Sequence, residues 1–217
     1  MARIVDEILN YKSKDEDDGV LRNKLGIKDQ ESLSKAERMI TSYKLVKLYL
    51  DPGEQTFDVK HYLSIHKFLF EDIYNFAGEI RTENIAKRIP FCVPDFIFSE
   101  LTRVLKNARD NVYKIDSRDK LLRFIVELYA EVDIIHPFRE GNGRVEREFI
   151  RQLMEYICKV NYLENYYLDY SLITDRNAYI DAVVKADALL DYNDLLLLFD
   201  SIMIVREKTV DYSAKKR

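Results

Sequence analysis

Residues 119–157 read DKLLRFIVELYAEVDIIHPFREGNGRVEREFIRQLMEYI, and the fold is decided in this stretch. Leu121, Leu122, Ile125, Leu128, Tyr129 and Val132 recur at helical spacing, and Pro137 stops that helix after Ile135. The period returns after Gly143 with Val145, Phe149, Ile150, Leu153, Met154 and Ile157. Two amphipathic helices are therefore joined by a short loop that holds two of the chain's six glycines. Each needs further helices to cover its apolar face.

Those partners are legible on both sides. From Leu33, the positions Ala36, Met39, Ile40, Tyr43, Val46, Tyr49 and Leu50 predict an amphipathic helix, opened by a capping box of Ser34 and Glu37 and closed by Asp51-Pro52-Gly53. A second helix is expected from Asp58 as N-cap to about Ala77-Gly78, carrying His61 and His66. Helical period is also found over 98–113, 176–189 and 193–205. Between Gly78 and Pro94 it disappears, and Pro90 and Pro94 flank Phe91, Cys92 and Val93, which predicts an exposed flap or short hairpin. The expected fold is all-α with one irregular insertion.

The 217 residues fit a single domain, with a core over about 20–205 and the flap over about 78–94. Hydrophobic residues at 47% and charged ones at 33% exclude a chain that stays disordered throughout. A net charge of -4 lacks the cationic footprint that nucleic-acid binding needs, so no nucleic-acid partner is expected. The longest apolar runs, such as Leu195–Phe199, are far too short to span a bilayer, which reads as a soluble cytoplasmic protein with no membrane partner. Cys92 and Cys158 have no metal-ligand spacing and read as ordinary thiols.

The loop carries the chemistry. Gly141-Asn142-Gly143 directly before a helix offers bare backbone N–H groups at the positive end of a helix dipole, an anion site suited to phosphates. Arg144 and Arg147, three apart, can contact phosphate oxygens. Glu140 beside bound phosphates suits Mg²⁺, which usually takes one or two protein carboxylates with phosphate and water. His136 can take a proton from a hydroxyl nucleophile near neutral pH. His136 and Glu140 also have the spacing of a helical zinc pair, but Pro137 breaks the helix and no third ligand is evident. His61 and His66 read as structural, and the 15 tyrosines as core and surface residues, of which Tyr166, Tyr167 and Tyr170 could approach an adenine. The acidic run Asp15–Asp18 reads as a solvated loop, and the basic tail 215–217 is too short to interpret.

Residues His136 to Arg147 resemble the Fic (filamentation induced by cAMP) family, whose signature is H-x-F-x-[DE]-G-N-G-R-x-x-R, and meet all eight of its fixed positions. The resemblance extends to Asn23-Lys24-Leu25-Gly26-Ile27 and to the stretch from His66 to Arg81, and covers most of residues 20–200. It implies an α-helical protein adenylyltransferase that moves AMP from ATP to a Tyr, Thr or Ser hydroxyl of a target protein and releases pyrophosphate. It further implies His136 as general base, Glu140 as Mg²⁺ ligand, Gly141, Asn142 and Gly143 as anion hole, Arg144 and Arg147 as phosphate binders, and Phe138 as inward packing. The flap, with its centre near Lys87–Val93, would hold the target by strand-like pairing. Targets implied by the family are type II topoisomerase subunits for bacterial toxins and small GTPases for translocated effectors. Intact Gly141 and Gly143 favour AMP transfer over the kinase-like branch, and His136 argues against a binding module without activity. No Glu has Ser or Thr four residues before it, so the family's internal inhibitory motif [ST]-x-x-x-E is not found. A toxin restrained by a separate small antitoxin, whose Glu pairs with Arg147, is the corresponding expectation.

Overall fold

The structure is a computed structural model and describes residues 16–206 with the exception of Asp18. Seven α-helices of four residues or more run through the described residues: α1 (Gln30–Leu50), α2 (Val59–Phe70), α3 (Pro94–Asn111), α4 (Arg118–Ile135), α5 (Asn142–Val160), α6 (Arg176–Leu189) and α7 (Asn193–Ile202). Two small antiparallel pairs accompany them: β1 (Glu16–Asp17) with β2 (Val20–Leu21), and β3 (Tyr166–Leu168) with β4 (Met203–Val205). The two helices of the deciding stretch form the centre. α4 packs against α3, α5, α6 and α7, and α5 against α2, α4 and β3. Their facing side chains, Leu121, Ile125, Tyr129 and Val132 against Val145, Phe149, Leu153 and Ile157, are all buried. No helix among the described residues is long and apolar enough to cross a membrane.

Several boundaries differ from expectation, each for a local reason. α1 begins three residues before Leu33, because Asp29 caps it by accepting from the Ser32 N–H (2.8 Å); no Ser34–Glu37 box forms. The buried face of α1 is Leu33, Glu37, Thr41, Lys44 and Leu48, whereas Met39, Tyr43, Val46, Tyr49 and Leu50 are exposed. The helical period was therefore right and the inward face wrong, since the polar residues facing inward have partners. Lys44, for instance, bridges Glu71 (3.2 Å) and Asp72 (2.7 Å). α2 ends at Phe70 instead of near Gly78, because the Phe70 carbonyl turns the chain by accepting from both Ile73 and Tyr74. Pro94 stands in the first turn of α3, with its φ preset for a helix, so that helix starts ahead of Phe98. At the other end, Met203–Val205 leave the helical path after Ile202 to pair with β3. In the acidic run, Glu16–Asp17 pair with Val20–Leu21 across a turn at Gly19 (φ 82°), while Asp15 and Asp18 lie outside the described residues. The basic tail 215–217 also lies outside them.

Candidate active site

α4 ends on His136, whose left-handed backbone (φ 47°, ψ 62°) lets its N–H close on the Val132 carbonyl (3.2 Å) while the chain turns away. Histidine is one of the few non-glycine types enriched in that region, and strained backbone of this kind gathers at functional sites. The ring folds back so that Nδ1 lies 3.1 Å from the Asp133 carbonyl oxygen and 3.6 Å from its carboxylate. Both are acceptors, so Nδ1 carries the proton and Nε2 keeps its lone pair. Phe91 of the flap stacks on the same ring at 3.8 Å, nearly parallel.

The loop beyond is held by its own side chains. Asn142 accepts from the Phe138 N–H and donates to the Phe138 carbonyl, both at 2.8 Å, closing the turn on itself. Phe138 is fully buried and lies flat against His66 (3.8 Å) and Tyr62 (5.7 Å), which realises its expected inward packing. Gly141 caps α5 at φ 87°, and a Cβ there would stand 2.3 Å from Phe70. Only glycine fits, both for its backbone and for the ring beneath it. Asn142 and Gly143 are the first two residues of α5, where helix geometry leaves N–H groups without intrahelical acceptors.

The charged residues diverge in setting. Arg144 is engaged from three sides: Glu37 of α1 (2.5 Å), Glu140 (3.2 Å) and the Phe70 face (4.8 Å). The Tyr74 hydroxyl donates to the other Glu37 oxygen. Arg147 lies over the Tyr170 ring, with Nη1 3.0 Å from where a Cβ on Gly143 would be. Burial works against its charge, but Tyr129, Tyr179, Tyr170 and Glu146 around it more than offset that effect. Glu146 is fully buried, which holds its carboxyl protonated well above the usual range. Glu140 accepts the Gly141 N–H (2.8 Å) on Oε1, and its half-exposed carboxylate stands at the mouth of the helix N-terminus. No cluster of three or more potential protein ligands exists among the described residues. One carboxylate next to a phosphate site still fits Mg²⁺, whose remaining positions are taken by phosphate oxygens and water.

The flap is short and firmly based. A single antiparallel bridge, Ala86 with Pro90, and the bonds from Lys87 N to Ile89 O and from Phe91 N to Ile85 O (both 3.2 Å) make its tip. Arg88 pairs with Asp181 of α6. At its base the buried Arg81 donates to four carbonyls: His136 (2.8 Å), Ile135 (3.2 Å), Glu83 (2.5 Å) and Cys92 (2.5 Å). The backbone adds Arg81 N to Pro137 O (2.9 Å) and Cys92 N to Ile134 O (3.0 Å). Flap and loop are thereby one unit.

Between flap, loop and α6 lies a cleft of about 310 Å³ reached by His136, Phe91, Gly143, Arg147, Tyr129 and Tyr179. Glu140 and Arg144 are not among the residues that line this cleft. Tyr166, Tyr167 and Tyr170 do not line this cleft; Tyr129 and Tyr179 do, and sequence spacing carried no sign of it. Arg81, Glu37 and His66 were also missed as parts of the site. His66 is structural, as expected, but its task is specific: Nε2–H donates to the Glu140 carbonyl (3.0 Å) and Nδ1 accepts from Gly78 (2.7 Å).

Residues 56–154 match the Fic/DOC family. Over 170 residues the chain is 31% identical to the probable protein adenylyltransferase y4lH of Sinorhizobium fredii, covering 77% of this chain and 83% of that one. It is 29% identical over 136 residues to the probable protein adenylyltransferase Fic of Escherichia coli, covering 62% and 67% respectively. A solved N-terminal Fic domain of a VirB-translocated Bep effector protein from Bartonella quintana, with bound ADP, superposes with a TM-score of 0.74 at 25% identity, covering 86% of this chain and 92% of that one.

Proposed function

Because the chain belongs to the Fic/DOC family and is a protein adenylyltransferase, a nucleotidyltransferase that uses ATP, we propose that His136 is its general base and that the loop ahead of α5 holds the phosphates. The observation that carries this reading is the His136 ring, oriented by Asp133 at Nδ1 so that Nε2 is left to accept a proton at the wall of the cleft. A target hydroxyl placed there gives its proton to Nε2 as its oxygen attacks the α-phosphorus. The bond from that phosphorus to the bridging oxygen breaks, and pyrophosphate leaves. Asn142 and Gly143 N–H groups and the positive end of α5 favour the charge on the phosphates, with Arg147 adding charge-assisted contacts. Arg144, already paired with Glu37 and Glu140, orients Glu140 as well as facing the phosphates. Glu140 would hold Mg²⁺, which when bound supplies positive charge at the phosphate oxygens. The flap, fixed to the loop through Arg81, presents the target segment to Nε2.

ATP labelled at the α- or the γ-phosphate tests the reaction type. Label should reach protein from the α-position only, and loss of transfer in His136→Ala with retained ATP binding would support the base assignment. Transfer of the γ-label would contradict the reading.

For regulation, we propose that a separate small helical antitoxin restrains the enzyme by directing a Glu to Arg147. What supports this is a groove of about 360 Å³ that includes Val46 and Tyr49 of the exposed apolar stripe of α1 and Arg144, Arg147 and Arg151 of α5. An apolar stripe beside a row of guanidinium groups suits an amphipathic helix with an acidic residue. The purified chain should then be active alone. Inactivity relieved by trimming either terminus would mean that the restraint is internal.

A further inference from the structure

We propose that Asp133 and Asp187 form a carboxylate–carboxyl pair that positions His136 and supplies the counter-charge for the proton it takes, a proposal that rests on His136 being the base. Asp133 stands in the last turn of α4, the end of a helix that disfavours an anion, and that turn has no basic residue. Its presence there calls for another reason. Its carboxylate lies 3.6 Å from His136 Nδ1, and Asp187, reaching across from α6, lines the same cleft beside Asp133 and His136. Oδ1 of Asp187 is buried without a hydrogen-bond partner.

Two neighbouring carboxyl groups withdrawn from water disfavour double ionisation, so the pair holds one proton. Burial and the neighbouring Asp133 push Asp187 up to about 9, which puts the proton there. Burial acts on Asp133 in the same direction, but the proximity of His136 and Asp187 and the charge of Lys87 outweigh it and keep Asp133 ionised. The groups that face the pair are Tyr129 of α4, Tyr179 and Arg176 of α6, Tyr192 ahead of α7, Glu146 and Arg147 of α5, and Lys87 and Arg88 of the flap. Tyr129, Tyr179 and Glu146 are held neutral by burial, which leaves the Asp133 carboxylate as the anion among these groups. When the target hydroxyl gives its proton to Nε2, the Nδ1 proton stays in place. Neither carboxyl gains or loses a proton in the transfer, and the new imidazolium has an anion already aligned behind it, the arrangement by which a buried Asp supports a catalytic His.

The test is AMP transfer by the full chain with ATP·Mg²⁺ and a bacterial lysate from about pH 5.5 to 9, with ATP affinity measured in parallel. Asp133→Asn should lower kcat on the order of 10- to 100-fold, keep ATP affinity within about twofold, and move the acidic limb of the rate profile to lower pH by roughly one unit. Asp187→Asn, still a donor and still neutral, should leave that limb in place and be impaired less than Asp187→Leu. A wild-type rate and profile in Asp133→Asn would overturn the proposal, as would loss of ATP affinity in step with rate. A limb moved equally by Asp187→Asn would place the charge on the wrong residue. Should Asp133→Asn not fold, the two Asp187 variants decide: equal rates in Asn and Leu overturn the pair. His136→Ala is the control that separates the two readings, since full activity in that variant removes the base itself, whatever the carboxyl variants do.

Discussion

Arg81→Met is the perturbation from which most follows, because one side chain fastens the flap to the loop that begins at His136. Its guanidinium donates to four carbonyls and is 5% exposed. Hydrogen bonds to a charged donor contribute about 1.5–3 kcal/mol each, so four amount to roughly 6–12 kcal/mol. Burial opposes this: it draws the guanidinium down to about 10. From an ordinary value of about 12.5, at about 1.4 kcal/mol for each pH unit, the cost is about 3–4 kcal/mol. Bonds sharing one donor group are not additive, and Met fills part of the volume, so a net loss of about 3–5 kcal/mol is expected. In a chain of this size that lowers Tm by about 6–20 °C. Thermal unfolding measures this, and transfer to protein should fall further than ATP binding, since the His136 and Ile135 carbonyls lose their donor while the α5 N-terminus is untouched. Arg81→Lys, with three donors from one point, should lie between. A loss under about 1 kcal/mol with normal transfer would refute the account of the flap as fixed through Arg81.

Three further expectations follow from the same geometry. Gly141→Val should cost roughly 2–5 kcal/mol, from left-handed backbone and a Cβ 2.3 Å from Phe70, and Phe70→Leu should recover part of it; strictly additive losses in unfolding by urea would mean that Phe70 is not the obstacle. His66 is drawn down to about 4 by burial, from an ordinary 6.5, so it is neutral in the fold and its contribution is complete above about pH 6.5. Stability should fall by up to about 1.4 kcal/mol per pH unit as pH drops from 6.5 toward 4, a slope that His66→Phe should reduce; the same slope in both proteins would assign it elsewhere. Glu140→Ala should raise the Mg²⁺ concentration needed for half-maximal transfer by about tenfold or more, and a titration unmoved by the change would remove Glu140 as the metal ligand.

Much of this was legible in the chain because the informative signals are local. The period of residues 121–132 and 145–157 fixed both central helices, and scarce glycine marked the loop between them. Long-range contacts have no such signature. Glu37 looked like a capping residue and is the buried partner of Arg144, 107 residues away. Arg81 reads only as the last residue of a family-like stretch, since nothing in the sequence announces four carbonyls. The face of α1 was misjudged because hydropathy ranks Met39, Tyr43 and Val46 above Glu37, Thr41 and Lys44, and takes no account of partners that make polar burial favourable. The three-residue strands β3 and β4 depend on each other across 35 residues or more, too short and too distant for a period to form.

The most direct test of the account is mass spectrometry of a bacterial lysate incubated with ATP·Mg²⁺ and either the wild-type chain or His136→Ala. The account predicts AMP on a Tyr, Thr or Ser hydroxyl of a discrete protein with the wild type, release of pyrophosphate, and loss of about 10²- to 10⁴-fold in rate with His136→Ala despite retained ATP binding. Equal AMP transfer by both proteins, or transfer of phosphate in place of AMP, would contradict it.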